Sequence, residues 1–152
     1  DDRRANGGKR WISNALESIG VTDPLRWPKI SVIIPFYEAE ASIATCLESV
    51  LQQTLEEFEI ICINDLSIDG SQMIVDRLVK RDNRIRCLKN SHNLGLGASR
   101  NAGVRAARGR YIFHLDPDDT IPSQSFEKLY KTAILHRSEM VKGAYKDGQG
   151  LH

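Results

Sequence analysis

The sequence predicts an α/β protein, a three-layer αβα sandwich built on a mainly parallel sheet. Three observations carry this reading. Apolar runs rich in β-branched residues recur at 30–35, 58–64, 84–89 and 110–115, about 26 residues apart. Each pair is bridged by a segment whose apolar residues fall at helical spacing. The run at 30–35 is continuously apolar and β-branched, as expected of a strand buried on both faces of a parallel sheet. A helix between consecutive strands is the crossover that parallel pairing requires.

The elements follow in order. "ISVIIP" (30–35) is the first strand, and Ile43, Leu47, Val50 and Leu51 place a helix over roughly 39–53. "FEIICIN" (58–64) is the second strand, after which Asp69 can cap a helix carrying Ile74, Leu78 and Val79. "RIRCLK" (84–89) is a shorter third strand. The stretch 94–109 is a helix with a small-residue face of Ala98, Ala102 and Ala106, stopped by Gly109. "RYIFHL" (110–115) is the fourth strand, and Phe126, Leu129, Tyr130, Ala133 and Ile134 outline a last helix. "EMVKGAY" (139–145) is a candidate short fifth strand.

Residues 1–28 read as a lead-in or linker, 29–145 as the domain and 146–152 as a loose C-terminus. Within the lead-in, "WISNALESIG" (11–20) can form a short amphipathic helix. The adjacent Arg3, Arg4, Lys9, Arg10 and Trp11 suit a solvated tail better than a membrane-surface contact.

Lys plus Arg number 21 against 20 Asp plus Glu, so the formal charge is +1 and nothing marks a nucleic-acid binder. No apolar run approaches the ~20 residues of a membrane span, and no signal peptide is recognisable. Cys46, Cys62 and Cys87 are odd in number and widely spaced, which favours reduced, buried thiols of a cytoplasmic protein over a disulfide or a metal site.

Chemistry belongs beyond the carboxyl ends of the strands, where open parallel sheets bind ligands. All four ends turn polar there: Pro35-Phe36-Tyr37-Glu38, Asn64-Asp65-Leu66-Ser67, Asn90-Ser91-His92-Asn93 and Asp116-Pro117-Asp118-Asp119. Asp116 and Asp118 flank a single residue, and two such carboxylates can reach a hard divalent cation that keeps positions open for phosphate oxygens. Helix capping by Asp118, Asp119 or Thr120 is the simpler alternative for these groups alone. "HLDPDDT" also matches the D-x-D-x-T of haloacid-dehalogenase-type phosphatases, but three strands precede it and too little chain follows. "GLGASRNAG" begins like a dinucleotide fingerprint, yet Arg100 occupies the third glycine position.

Four motifs in order over about residues 29–125 resemble the family-2 inverting glycosyltransferases of the GT-A, Rossmann-like fold. They are "PFYEAE" after the first strand, "NDLSID" after the second, "NLGLGASRN", and "DPDD". The resemblance implies that Pro35, Tyr37 and Glu38 cradle the base and ribose of a nucleotide-sugar. It implies that Asp65 accepts a hydrogen bond from the base, often uracil, and that Gly95 and Arg100 lie beside the nucleotide. Asp116 would face the ribose or sugar, and Asp118 would ligate Mn²⁺ or Mg²⁺ at the diphosphate. Two positions depart from the family pattern: Asn64 stands where Asp is usual and Leu66 where Gly is usual, which puts the local loop in question.

The implied reaction transfers a sugar from a nucleotide-sugar, UDP-linked by this resemblance, to a hydroxyl of a carbohydrate or glycan acceptor, with inversion. Its general base lies beyond the D-x-D motif in this family, and Glu127, Glu139 and Asp147 read more simply as exposed residues. The catalytic base is therefore expected outside this chain, which resembles the N-terminal donor-binding portion of a polysaccharide-building enzyme. The alternative is a nucleotide-sugar-binding module or fragment without transfer activity of its own. A cytoplasmic location, at the inner membrane face where peripheral association occurs, and self-association through an exposed sheet edge complete the expectations.

Overall fold

The structure is a computed structural model and describes residues 27–143, 146–147 and 150–151. The expected helix at 11–20 and the basic cluster of Arg3, Arg4, Lys9 and Arg10 lie outside the described residues. Strands and helices alternate as β1 (Ile30–Phe36), α1 (Ile43–Leu51), β2 (Phe58–Asn64), α2 (Ser71–Arg81), β3 (Ile85–Lys89), α3 (Leu96–Ala106), β4 (Tyr111–His114) and α4 (Ser125–Leu135). Two-residue strands β5 (Lys146–Asp147) and β6 (Gly150–Leu151) then pair antiparallel. Residues 139–143 of the expected fifth strand are not in a strand, and 144–145 lie outside the described residues.

The main sheet has four parallel strands in the order β3-β2-β1-β4. Every residue of β1 and β2 is buried, which is why their sequences do not alternate. Alternate side chains still divide between two helical layers. Val32, Ile34 and Phe36 pack beneath Ile43, Leu47 and Val50 of α1, with Val75 and Leu78 of α2 and Phe126 of α4 in the same core. The Phe126 ring stands edge-on to Phe58 and Phe113, centroids 5.5 and 5.2 Å away. On the opposite face Ile33, Ile61 and Ile63 form a thinner core with Ala106 and Ala107.

Helix α3 reaches that face through a seam other than the expected one. Ser99 and Gly103 are its buried residues, whereas Ala98, Ala102 and Ala106 are only half-buried. A Cβ on Gly103 would collide with Ile33 Cγ2 and lie 2.9 Å from Ile63 Cδ1, so only glycine permits this approach.

Both α1 and α3 are shorter than their periodicity predicts. Glu38 is left-handed at φ 49°, the N–H groups of Glu38, Ala39 and Glu40 donate to Ser67 Oγ, Ser71 Oγ and Asp69 Oδ2, and 40–42 form a turn ahead of α1. Asp69 sits one residue ahead of the Gly70 cap of α2 and accepts the Ser71 N–H instead of capping the helix itself. At the far end of α3, Arg86 Nη2 donates to the Ala106 carbonyl and the Arg108 N–H goes to Glu59 Oε1 at 2.7 Å, so the helix stops before Gly109. Glu59 is 5% exposed and also accepts from Ser31 Oγ at 2.7 Å. Burial alone would raise its carboxyl pKa, but these donors and Arg86 hold it below the usual value.

Candidate functional site

The chain builds β1, β2 and β3 outward in one direction and then returns to add β4 on the other side of β1. Such a reversal opens a crevice at the carboxyl ends of the two diverging strands. Pro35 sets where it opens. β1 pairs with β4 only as far as Ile33↔His114, and Leu115 N–H still donates to Ile33 O at 3.1 Å. Alternate residues of a strand turn their backbone groups to the same neighbour, so Pro35 stands where the next N–H toward β4 would be. With no donor to offer, the ladder ends and Asp116 leaves the sheet.

Asn64, the last residue of β2, is fully buried and does not open into the crevice. Its Oδ1 accepts the Ser67 N–H at 2.7 Å, and its Nδ2 donates to Gln72 Oε1. An amide oxygen does the turn-forming work of a carboxylate here, without the charge. The loop geometry questioned by Leu66 survives as well. Leu66 takes φ 67°, the left-handed conformation a glycine would adopt freely. Glu38 is also left-handed, at φ 49°. Glu40 braces the two loops reciprocally, since its Oε2 accepts the Gly70 N–H at 2.8 Å while its own N–H reaches Asp69. Sequence reasoning passed over Glu40 and Ser71, whose signal was the polar spacing within "NDLSIDGS" and "EAE".

Tyr37 is half exposed at the mouth of the crevice. The Glu38 carboxylate beside it raises the phenol above its ordinary pKa, and Asp65 adds to the effect. Asp65 itself is 4% exposed and anchors the loop after β3. Its Oδ1 accepts from Asn90 Nδ2 at 2.7 Å and the Leu94 N–H at 2.8 Å, and its Oδ2 accepts the Gly95 N–H at 2.7 Å. Burial would raise this carboxyl, yet the donated bonds overcome it and hold it below the usual range. Gly95, at φ 79°, turns the chain into α3, and this non-helical conformation sets its start at Leu96.

From α3, Arg100 Nη2 donates to Asp116 Oδ1 at 2.6 Å and ties the third and fourth strand ends together. Asp118 and Asp119 are exposed, and Asp118 makes no side-chain hydrogen bond or ion pair among the described residues. Burial and the neighbouring Asp118 and Asp116 charges push Asp119 upward. This local excess of negative charge fits a cation. No three acidic, histidine or cysteine side chains among the described residues converge on a point able to hold one, so further ligands would come from a bound molecule's oxygens.

Pro35, Tyr37, Glu38, Asp65, Gly95, Arg100, Asp116 and Asp118 thus all lie at or just beyond the strand ends of one sheet edge. A separate groove of about 900 Å³ runs along the outer side of β4, between Phe113, Tyr130, Ile134 and Met140. The three cysteines are free, with Cys46 and Cys62 buried and Cys87 half-buried. No helix among the described residues is long and apolar enough to cross a membrane.

A parallel αβα sandwich with acidic groups at its strand ends is compatible with several nucleotide-binding classes, and comparison with known proteins singles out the GT-A class. The chain belongs to Glycosyl transferase family 2, whose sequence model matches residues 31–150. It is 42% identical to the uncharacterized glycosyltransferase EpsJ of Bacillus subtilis over 120 residues, covering 78% of this chain and 35% of EpsJ. It is 35% identical to the poly(ribitol-phosphate) beta-glucosyltransferase of Bacillus spizizenii over 128 residues, covering 81% of this chain and 20% of that protein. Among solved structures, TarS 1–349 of S. aureus in complex with UDP matches with a TM-score of 0.68 and 28% identity, over 72% of this chain and 33% of that one. TarS has also been solved with UDP-GlcNAc. The chain therefore spans about a third or less of these proteins.

Proposed function

We propose that the chain is the donor-binding portion of an inverting glycosyltransferase that moves a sugar from a UDP-linked donor to a glycan hydroxyl. The observation that carries this is the Arg100–Asp116 pair at 2.6 Å beside an unengaged Asp118, on the same edge as the loop held by Asp65. The likeness to TarS, solved with UDP and UDP-GlcNAc, supports uridine as the nucleoside.

Each side chain then has a task. Pro35, Tyr37 and Glu38 border the base and ribose. Asp65 Oδ2 has one N–H on it, and its remaining lone pair is an acceptor for a base N–H. Gly95 lets the backbone approach the nucleotide, Arg100 holds Asp116 toward the ribose or sugar, and Asp118 ligates Mn²⁺ or Mg²⁺. When bound, that cation supplies positive charge to a departing diphosphate. Glu127 is already engaged by Thr54 at 2.9 Å and by Lys131, and Glu139 lines the groove beside β4. Neither is assigned as the base that deprotonates the acceptor, and that role is left unassigned among the described residues. The same observation favours the second reading, a module that binds the donor without transferring it. Membrane contact and self-association through an exposed sheet edge stay with the proposal.

The test is UDP release from a panel of UDP-sugars with Mn²⁺ and a glycan acceptor. Acceptor-dependent release by the chain supports transfer. Donor binding without release supports the binding module, and neither binding nor release overturns both.

A further inference from the structure

The aspartate loop is held from below by side chains to which the donor-site account assigns no role. Cys46 and Ser49 lie three residues apart on one face of α1, and Gln53 continues their line four residues on, just past the helix end. Cys46 is fully buried, and its S–H donates to the Asp116 carbonyl at 3.4 Å. Ser49 Oγ accepts the Ile121 N–H at 3.2 Å. Gln53 is 5% exposed and grips the next turn, its Nε2 donating to Pro122 O at 2.8 Å and its Oε1 accepting the Phe126 N–H at 3.0 Å. The backbone adds one more tie, Thr54 N–H to Ser123 O at 2.8 Å.

The segment carrying Asp118 and Asp119 is thus fixed at Asp116 and again from Ile121 onward, with the two carboxylates between the fixed points. Loops without such ties move readily, since exposed turns carry few constraints. A carboxylate meant for a cation and a diphosphate gains from being held in place before they arrive. Burial, with the three aspartates adding, pushes the Cys46 thiol up to about 12, so it stays a protonated donor across the neutral range.

We propose that Cys46, Ser49 and Gln53 are positioning residues, a splint on α1 that fixes where Asp118 meets the cation and diphosphate of the donor. This rests on the donor-site reading above and extends it to residues that touch no ligand.

The experiment compares the wild-type chain with Ser49→Ala, Gln53→Met, Cys46→Ala and Cys46→Ser by amide hydrogen exchange and by titration with UDP plus Mn²⁺ and with uridine. In Ser49→Ala, the mildest change, amide exchange across 118–121 accelerates while the β1 and β2 amides keep their protection. Its affinity for UDP with Mn²⁺ falls about fivefold, the worth of one lost hydrogen bond, and its affinity for uridine, which has no diphosphate, is unchanged. Gln53→Met loses more, and Cys46→Ser, which retains a donor, binds more tightly than Cys46→Ala. Unaltered loop exchange and UDP affinity in Ser49→Ala and Gln53→Met would overturn the splint. Equal losses for UDP and uridine would overturn it too, because they would mark general loosening of the fold. Failure of the wild-type chain to bind UDP would instead remove the donor-site reading, and the assignment with it.

Discussion

Arg100 Nη2 lies 2.6 Å from Asp116 Oδ1, joining the helix that follows β3 to the loop that follows β4. This one ion pair spans the crevice that the strand order opens, and it leaves Asp118 without a protein partner among the described residues. The side chains are 35% and 42% exposed, so solvent screens the pair and its contribution to stability is below about 1 kcal/mol. Arg100→Ala is therefore expected to leave the melting temperature nearly unchanged. Affinity for UDP should fall by about tenfold or more, since Asp116 then meets the nucleotide uncompensated. Calorimetric titration beside a thermal melt separates the two effects.

Leu66 holds a left-handed conformation at φ 67° and is 37% exposed. A side chain there costs about 1–2 kcal/mol, part of which glycine returns through its larger unfolded-state entropy. Leu66→Gly should stabilise the chain by about 0.5–1 kcal/mol, seen as a higher urea midpoint with an unchanged slope.

Gly103 makes the opposite case. Any Cβ there meets Ile33 and Ile63, both fully buried and unable to yield. Gly103→Ala should cost about 1–3 kcal/mol by overpacking, despite the better helix propensity of alanine. Urea unfolding of the variant checks this.

Asp65 supplies the pH dependence. Burial opposes its ionisation, but Leu94, Asn90 and Gly95 donate to it and the folded pKa lies below the usual value. A carboxyl depressed on folding contributes stability above its unfolded pKa of about 3.9, and that contribution is lost as the pH falls through the folded value. Asp65→Asn should therefore be clearly less stable than wild type at pH 7. The gap should narrow as acid protonates Asp65 in the wild type. Denaturant titrations at pH 7 and at successively lower pH follow it.

Much of this architecture was legible in the sequence, because burial on both faces writes an unbroken apolar run. β2 was read at 58–64, its observed bounds. What stayed hidden depends on partners distant in the chain. Residues 39–42 have helical spacing, but Ser67, Ser71 and Asp69 bind the N–H groups of Glu38, Ala39 and Glu40 and pin the chain to the next loop. The buried seam of α3 runs through Ser99 and Gly103 because the Ile33 and Ile63 side chains demand close approach, which alanine spacing could not reveal. Cys46 read as an ordinary core thiol, and its bond to Asp116 spans 70 residues. Pro35 was read as the end of the first strand, and its missing N–H, which ends the β1–β4 ladder, was not weighed.

The central claim is that the aspartate loop binds a nucleotide diphosphate through a metal ion at Asp118. Titration of the 152-residue chain with UDP, with and without Mn²⁺, tests it most directly when repeated on Asp118→Ala. The account predicts binding that Mn²⁺ strengthens in the wild type, and a residual affinity in Asp118→Ala that Mn²⁺ no longer changes. An Asp118→Ala variant that still responds to Mn²⁺ as the wild type does, or a wild type that binds no UDP with the metal present, would contradict it.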